Sequence, residues 1–227
     1  MQKETKTEQL TVTAKIEQFI IRFRKQLIIV VSVLAAVLII FTIVSVVTTR
    51  RTDAYTVRVE EAQELFNTYK AADEQNRAEL AEQLTEELEE IIARNRRNYP
   101  ELRALYLSGQ LAYQEGRHED AAGFFGRAAD QYSNTYLAAP ALVNQAVALE
   151  LAGKPEAAIE SYQRLADRHK GTYQGIPRAM LNMGRLYESL DNVSAARSVY
   201  EQLSADYADT EWGKLAQSRL IQLDIGM

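Results

Sequence analysis

Cysteine is absent from all 227 residues. The chain therefore forms no disulfide, builds no thiolate metal site and offers no thiol for a lipid anchor. Histidine is scarce: His118 and His169 are the two present, one beside a turn between helices and one at a helix end. That arrangement does not suit a metal site or a shared general base. No glycine-rich phosphate loop and no G-x-S-x-G elbow occurs. Carboxylates are plentiful, yet no spacing sets two of them together in an apolar run. A non-enzymatic protein with no cofactor and no metal is the expectation.

Charge is missing from one stretch altogether. Leu27 to Val47 reads LIIVVSVLAAVLIIFTIVSVV, 21 residues broken only by Ser32, Thr42 and Ser45. As a helix it spans about 30 Å, the thickness of a bilayer's hydrocarbon core. A helix satisfies its own backbone, so such a segment suits lipid. A cleaved signal peptide is the other reading. Its apolar part runs to about 7–15 residues and ends at a small-x-small site. Here the run is longer, 26 residues precede it, and Thr48-Thr49-Arg50-Arg51 follows. An uncleaved transmembrane helix over 27–47 is expected.

Basic residues near the span set its direction. Lys3, Lys6, Lys15, Arg22, Arg24 and Lys25 lie before it; Arg50, Arg51 and Arg58 lie after it. This bias places the N-terminus in the cytoplasm and the rest on the periplasmic or exterior side of an inner membrane. Arg50 and Arg51 pull the other way. Residues 53–227 carry 28 acidic and 18 basic groups. Such a domain is a poor partner for nucleic acid, and its acidity serves solubility first.

The tail, residues 1–26, is expected to be partly disordered: 1–15 are polar and without helical pattern. Residues 16–26 place Ile16, Phe19, Ile20 and Phe23 at helical spacing, which suits the membrane interface or a cytoplasmic docking partner. From Asp53 on, apolar residues recur at three and four, so the pattern is helical throughout. Segments 54–72 and 77–97 predict a first, diverged hairpin within 53–98, with Asp53 as N-cap. Glu86, Glu87, Glu89 and Glu90 predict a solvated helix side. Arg94, Arg96 and Arg97 predict a helix C-terminus, or more sharply a basic binding patch.

Residues 99–227 hold an internal repeat. The segments 105–136, 142–173 and 180–211 align at offsets of 37 and 38 residues. Gly109, Ala146 and Gly184 share a position small enough for two helices to touch. Ala121, Ala158 and Ala196 share another. Phe125, Tyr162 and Tyr200 share an aromatic one, and Leu105, Leu142 and Met180 an apolar one. Gly116 and Gly153 fall in the turn between helices, with Asp191 in their place in the third copy. Thr135, Thr172 and Thr210 fall in the later loops, as N-caps for the helix that follows. Each copy predicts a helical hairpin that stacks on its neighbours. WGKLAQSRLIQL after Glu211 predicts a terminal capping helix, with Trp212 packing on the last hairpin.

These residues resemble the tetratricopeptide repeat. Leu105, Gly109, Ala121, Phe125 and Ala128 match its pattern in the first copy. Leu142, Ala146, Leu149, Ala158, Tyr162 and Leu165 match in the second; Met180, Met183, Gly184, Tyr187, Ala196, Tyr200 and Leu203 match in the third. The copies are three or four residues longer than that family's 34, its closing proline is absent while Pro140 and Pro177 open the next unit, and Ser108 and Gln145 replace an expected Leu. With the apolar run read as one N-terminal transmembrane helix, the resemblance implies an all-α protein that continues as an α-solenoid of three to four hairpins and a C-terminal capping helix.

The layout resembles the ancillary SecYEG translocon subunit family. That implies a periplasm-facing scaffold whose partners are proteins, translocon subunits and periplasmic chaperones among them. A division or envelope-assembly adaptor acting on cell-wall or outer-membrane machinery is the alternative. Self-association, through the repeats or the Ser32 and Ala36 pair, is a further reading. In the resembled family the first helix of each hairpin lines a groove. That implies Arg103, Tyr106, Gln110 and Tyr113 in the first copy, Val143, Val147 and Glu150 in the second, and Arg178, Leu181, Arg185 and Glu188 in the third. Such a mixture suits an extended peptide or a partner helix.

Overall fold

The computed structural model describes residues 2–94 and 97–225, with side chains from residue 16 on apart from 18 and 51. Among the described residues the secondary structure is helical, in the order α1 (Gln2–Ala71), α2 (Glu74–Arg94), α3 (Tyr99–Gln114), α4 (His118–Gln131), α5 (Ala138–Leu151), α6 (Pro155–His169), α7 (Ile176–Ser189), α8 (Val193–Asp206) and α9 (Glu211–Ile225). The chain forms two units, Met1–Asp53 and Ala54–Met227.

The first unit lies within α1. Neither glycine nor proline occurs before Pro100, so nothing in this stretch breaks a helix. This differs from two expectations. The backbone of residues 2–15 is helical where a disordered tail was expected, and Asp53 lies inside α1 rather than capping it. From Ile28 to Val47 the large apolar side chains stand uncovered. The hydroxyls of Thr42 and Thr48 donate back to the Leu38 and Val44 carbonyls, both at 2.8 Å. These two threonines thus return their hydroxyls to the helix's own backbone, and the helix is long and apolar enough to cross a bilayer.

The second unit is a stack of hairpins. Tyr55, Val59, Ala62, Phe66 and Tyr69 form one stripe of α1, buried with Leu84, Leu88 and Ile91 of α2 and Leu107 and Leu111 of α3. The chain turns at Asp73, whose carboxylate accepts from the Asn76 backbone N–H at 3.0 Å and caps α2. The solvated acidic side expected of α2 holds for Glu86 and Glu89. Glu87 and Glu90 instead converge on Arg58, at 2.6 and 2.7 Å, and tie α2 to α1. Arg94 pairs with Glu90 one turn back, while Arg97 stands in the loop before α3; Arg96 lies outside the described residues. Asn98 then caps α3, and buried Glu101 accepts from the Arg97 backbone N–H and the Tyr132 hydroxyl.

From α3 on, the three repeats and the terminal helix fall where the offsets place them. Successive helices pack on each other through to α9, and one core runs from Leu102 to Ala216. The inter-helix turns take positive φ at Gly116, Gly153 and Asp191 (74°, 71° and 55°). Asp is among the few side chains that tolerate that region. Thr135 and Thr172 do not cap the next helix. Their hydroxyls donate to the Tyr132 and His169 carbonyls and so close the preceding one. Thr210 does both, accepting from the Gly213 N–H at 3.1 Å. Trp212 is partly buried against the last hairpin. Gln145, where Leu was expected, has Gly126 opposite it: a Cβ there would meet its amide.

The small position of each hairpin is where the packing is tightest. A Cβ on Gly109 would sit 2.8 Å from the Phe125 ring, which is itself buried. Gly109→Ala gains about 1 kcal/mol of intrinsic helix propensity, but overpacking costs about 1–3 kcal/mol. The expected net result is a lower thermal midpoint by circular dichroism; a raised one would show that the ring yields freely.

A candidate protein-binding groove along the first helices

The groove residues expected from the repeat register sit on α3, α5 and α7. Polar contacts along one face join the first helices in series. Arg103 of α3 donates from Nη2 to Gln63 of α1 at 3.0 Å. Asn144 of α5 donates to the Tyr106 hydroxyl at 2.8 Å. Arg185 of α7 pairs with Glu150 of α5 at 2.5 Å, and Arg219 of α9 lies 3.9 Å from Glu188 of α7. α1, α3, α5, α7 and α9 therefore present one shared, half-exposed surface.

Its members differ in freedom. Val143 and Leu181 pack against the core and show only an edge. Glu150 and Arg185 neutralise each other. Tyr106 turns its ring edge-on to Phe125, centroids 5.4 Å apart, and burial raises its phenol pKa. Arg178 is exposed and has no ion-pair partner among the described residues. Gln110, Tyr113 and Val147 meet at a cavity of about 350 Å³.

That cavity also takes in residues the repeat register did not reach. Phe66 and Lys70 come from α1, Gln114 from α3, Phe125 from α4 and Asn144 from α5. The Lys70 ammonium stands 4.9 Å from the Phe66 ring centroid. Phe66 and Lys70 escaped the sequence reading because the first hairpin has diverged from the aligned copies. Phe125 was read there as a packing residue, which it also is.

The two histidines are far apart in role. His118 lies edge-on to Tyr113 at 5.5 Å, and burial lowers the His169 pKa. Among the described residues no three His, Cys, Asp or Glu side chains gather as a metal site.

The sequence matches the profile of the tetratricopeptide repeat family over residues 70–135, 123–171 and 143–209. A tetratricopeptide repeat-containing protein of Treponema pallidum (strain Nichols) is 33% identical over 108 residues, 48% of this chain and 44% of that one. The chain thus spans less than half the length of that curated relative. Among solved structures, the tetratricopeptide-like repeats of a Podosopora anserina kinesin light chain superpose with TM-score 0.56 at 15% identity, over 76% of this chain and 86% of that one. RapI in its apo form superposes with TM-score 0.55 at 10% identity, over 76% and 64%. At these identities the likeness is one of fold.

Glu188 is held from beneath by the Tyr200 hydroxyl of α8, at 2.5 Å. Burial, then the bond to Glu188, raises the Tyr200 pKa well above its ordinary value near 10. A folded-state pKa above the unfolded one favours the protonated phenol. Its stabilising contribution is full below about pH 10 and is lost as pH rises through the folded value. The thermal midpoint should therefore fall above pH 10, and Tyr200→Phe should make that fall shallower. An identical alkaline profile in the variant would assign the loss to other groups.

Proposed function

The chain belongs to the tetratricopeptide repeat family, and from that premise we propose that it is a membrane-anchored scaffold that recruits other proteins through the groove of its hairpin stack. The observation that carries this is the shared face of α1, α3, α5, α7 and α9. It joins aromatic, apolar and charged side chains in one open row, the mixture that peptide and helix recognition uses. A tetratricopeptide fold is typical of protein-interaction scaffolds.

The anchor is the segment 27–47. Its length, its lack of charge and its back-bonded Thr42 suit a hydrocarbon environment. The basic bias before it supports an N-terminus in the cytoplasm and a repeat domain on the periplasmic or exterior side of the inner membrane. With the resemblance in layout to ancillary translocon subunits, these features favour a post at or near the secretion translocon, with translocon subunits and periplasmic chaperones as partners.

The absence of cysteine makes orientation directly measurable. Glu8→Cys and Ser133→Cys each introduce a lone thiol into an otherwise thiol-free chain. In intact spheroplasts an impermeant maleimide should label position 133 and not position 8; the opposite pattern would reverse the assignment. A photo-crosslinking amino acid at Val143 or Leu181 should then trap translocon or chaperone subunits. Capture of division or cell-wall machinery instead would move the scaffold to that site, and capture of nothing by either position would remove the groove from the proposal.

A further inference from the structure

The cavity at the α1 end of the groove has a chemistry of its own. Its lining holds one charged group, the Lys70 ammonium, and no carboxylate. This is unusual ground in a domain with 28 acidic and 18 basic residues. Lys70 has no ion-pair partner among the described residues; its ammonium rests over the Phe66 ring. The side chains of Gln110, Gln114 and Tyr113 have no hydrogen-bond partner there either, so their donors are free for a ligand. Behind them Phe66, Phe125 and Val147 form an apolar floor. A floor of this kind with a few convergent donors at the rim is the general form of a specific binding site.

The volume and the charge together define the occupant. About 350 Å³ admits one large apolar side chain and its immediate neighbours. A single unpaired cation at the rim calls for one anionic group. The domain's net negative charge repels a segment rich in carboxylates. The walls are mid-helix or C-terminal stretches of α1, α3, α4 and α5, whose backbone N–H groups are bonded within their own helices. They offer no nest of free N–H groups of the sort that captures a chain terminus.

Resting on the groove reading above, we propose that this cavity selects, within a partner polypeptide, an internal aromatic side chain flanked by one acidic side chain. The ring enters against Phe66, Phe125 and Val147. The carboxylate meets Lys70, with the Gln110 and Gln114 amides as further donors. The cavity is then the specificity pocket of the scaffold, and the rest of the groove supplies area.

The full-length protein in lipid nanodiscs, titrated against fluorescein-labelled peptides by fluorescence anisotropy, tests this. The probes are twelve-residue Gly/Ser/Asn peptides, acetylated and amidated, with a central Glu-Phe, Gln-Phe or Glu-Ala pair. A fourth lacks the pair and ends in Phe with a free carboxylate. The Glu-Phe peptide should bind about tenfold tighter than either the Gln-Phe or the Glu-Ala peptide. Lys70→Gln should bring the Glu-Phe and Gln-Phe affinities together while leaving the preference for Phe over Ala. Val147→Trp, which fills the floor, should remove that preference for Phe. Circular dichroism of both variants checks that they fold.

Equal affinity for Glu-Phe and Gln-Phe, an unchanged ratio in Lys70→Gln, or no saturable binding of the Glu-Phe peptide by about 1 mM overturns the inference. Tighter binding of the peptide with a free C-terminus does so too, since it makes the site a terminus reader. Crosslinks from Leu181 that survive Lys70→Gln would at the same time leave the groove reading in place.

Discussion

An aromatic ring laid against a missing side chain holds this fold together. Phe125 faces Gly109 and Tyr200 faces Gly184, each so closely that a Cβ would intrude; Tyr162, at the corresponding repeat position, is fully buried in the same core as Ala146. The small residue lets the two helices of a hairpin approach, and the ring fills the space this leaves. A lone hairpin still exposes its apolar side. The next hairpin covers it, so that Leu105, Leu142, Leu165 and Tyr200 belong to one continuous core. Stability is then a property of the stack rather than of any one repeat, and the groove exists because the first helices are brought side by side.

Polar contacts between successive hairpins add register to that packing. Lys154 reaches Glu119, Arg164 reaches Asp130, Lys170 reaches Asp206 and Arg197 reaches Asp224. Exposed pairs of this kind contribute little each, about 0–1 kcal/mol. Their consequence is one of availability. Along the groove Glu150 and Arg185 are spent on each other, and Glu188 lies between Tyr200 and Arg219. Among the described groove residues, Arg178 and the Lys70, Gln110, Tyr113 and Gln114 set remain uncommitted. On the proposed reading, recognition concentrates at these uncommitted groups.

The hairpins and their offsets were legible because they rest on residue size repeated at a fixed spacing. Gly109, Ala146 and Gly184 announce a helix crossing wherever they stand, and Gly116, Gly153 and Asp191 announce the turns. Caps were read less well. Asp53 and Asp73 both precede helical pattern, and only tertiary packing decides which of them ends a helix: Tyr55 and Val59 continue the stripe that Phe66 and Tyr69 complete, so α1 runs through the first and stops at the second. Thr135 and Thr172 carry the hydroxyl of an N-cap, yet their geometry turns it backward to a carbonyl. The cavity was half legible. Gln110, Tyr113 and Val147 follow from the repeat register, whereas Phe66 and Lys70 come from a hairpin too diverged to align.

The apolar surface of residues 28–47 requires a cover. Fifteen uncovered Leu, Ile, Val and Phe side chains within 20 consecutive positions exceed what a soluble monomer leaves in contact with water. Two covers are physically open: other copies of the same helix, or lipid. Close helix pairing calls for small residues along one face, and here the Ser32 and Ala36 pair gives way to Ile39, Ile40 and Ile43 within two turns. Lipid asks only for length and lack of charge, and both are met. Thr42, within the run, returns its hydroxyl to the Leu38 carbonyl, as Thr68 and Thr85 return theirs to Glu64 and Ala81 outside it, so the bond is compatible with lipid without requiring it. On the reading proposed above, a bilayer is the cover that suits the chemistry of this stretch, and the basic residues on its N-terminal side support the proposed direction.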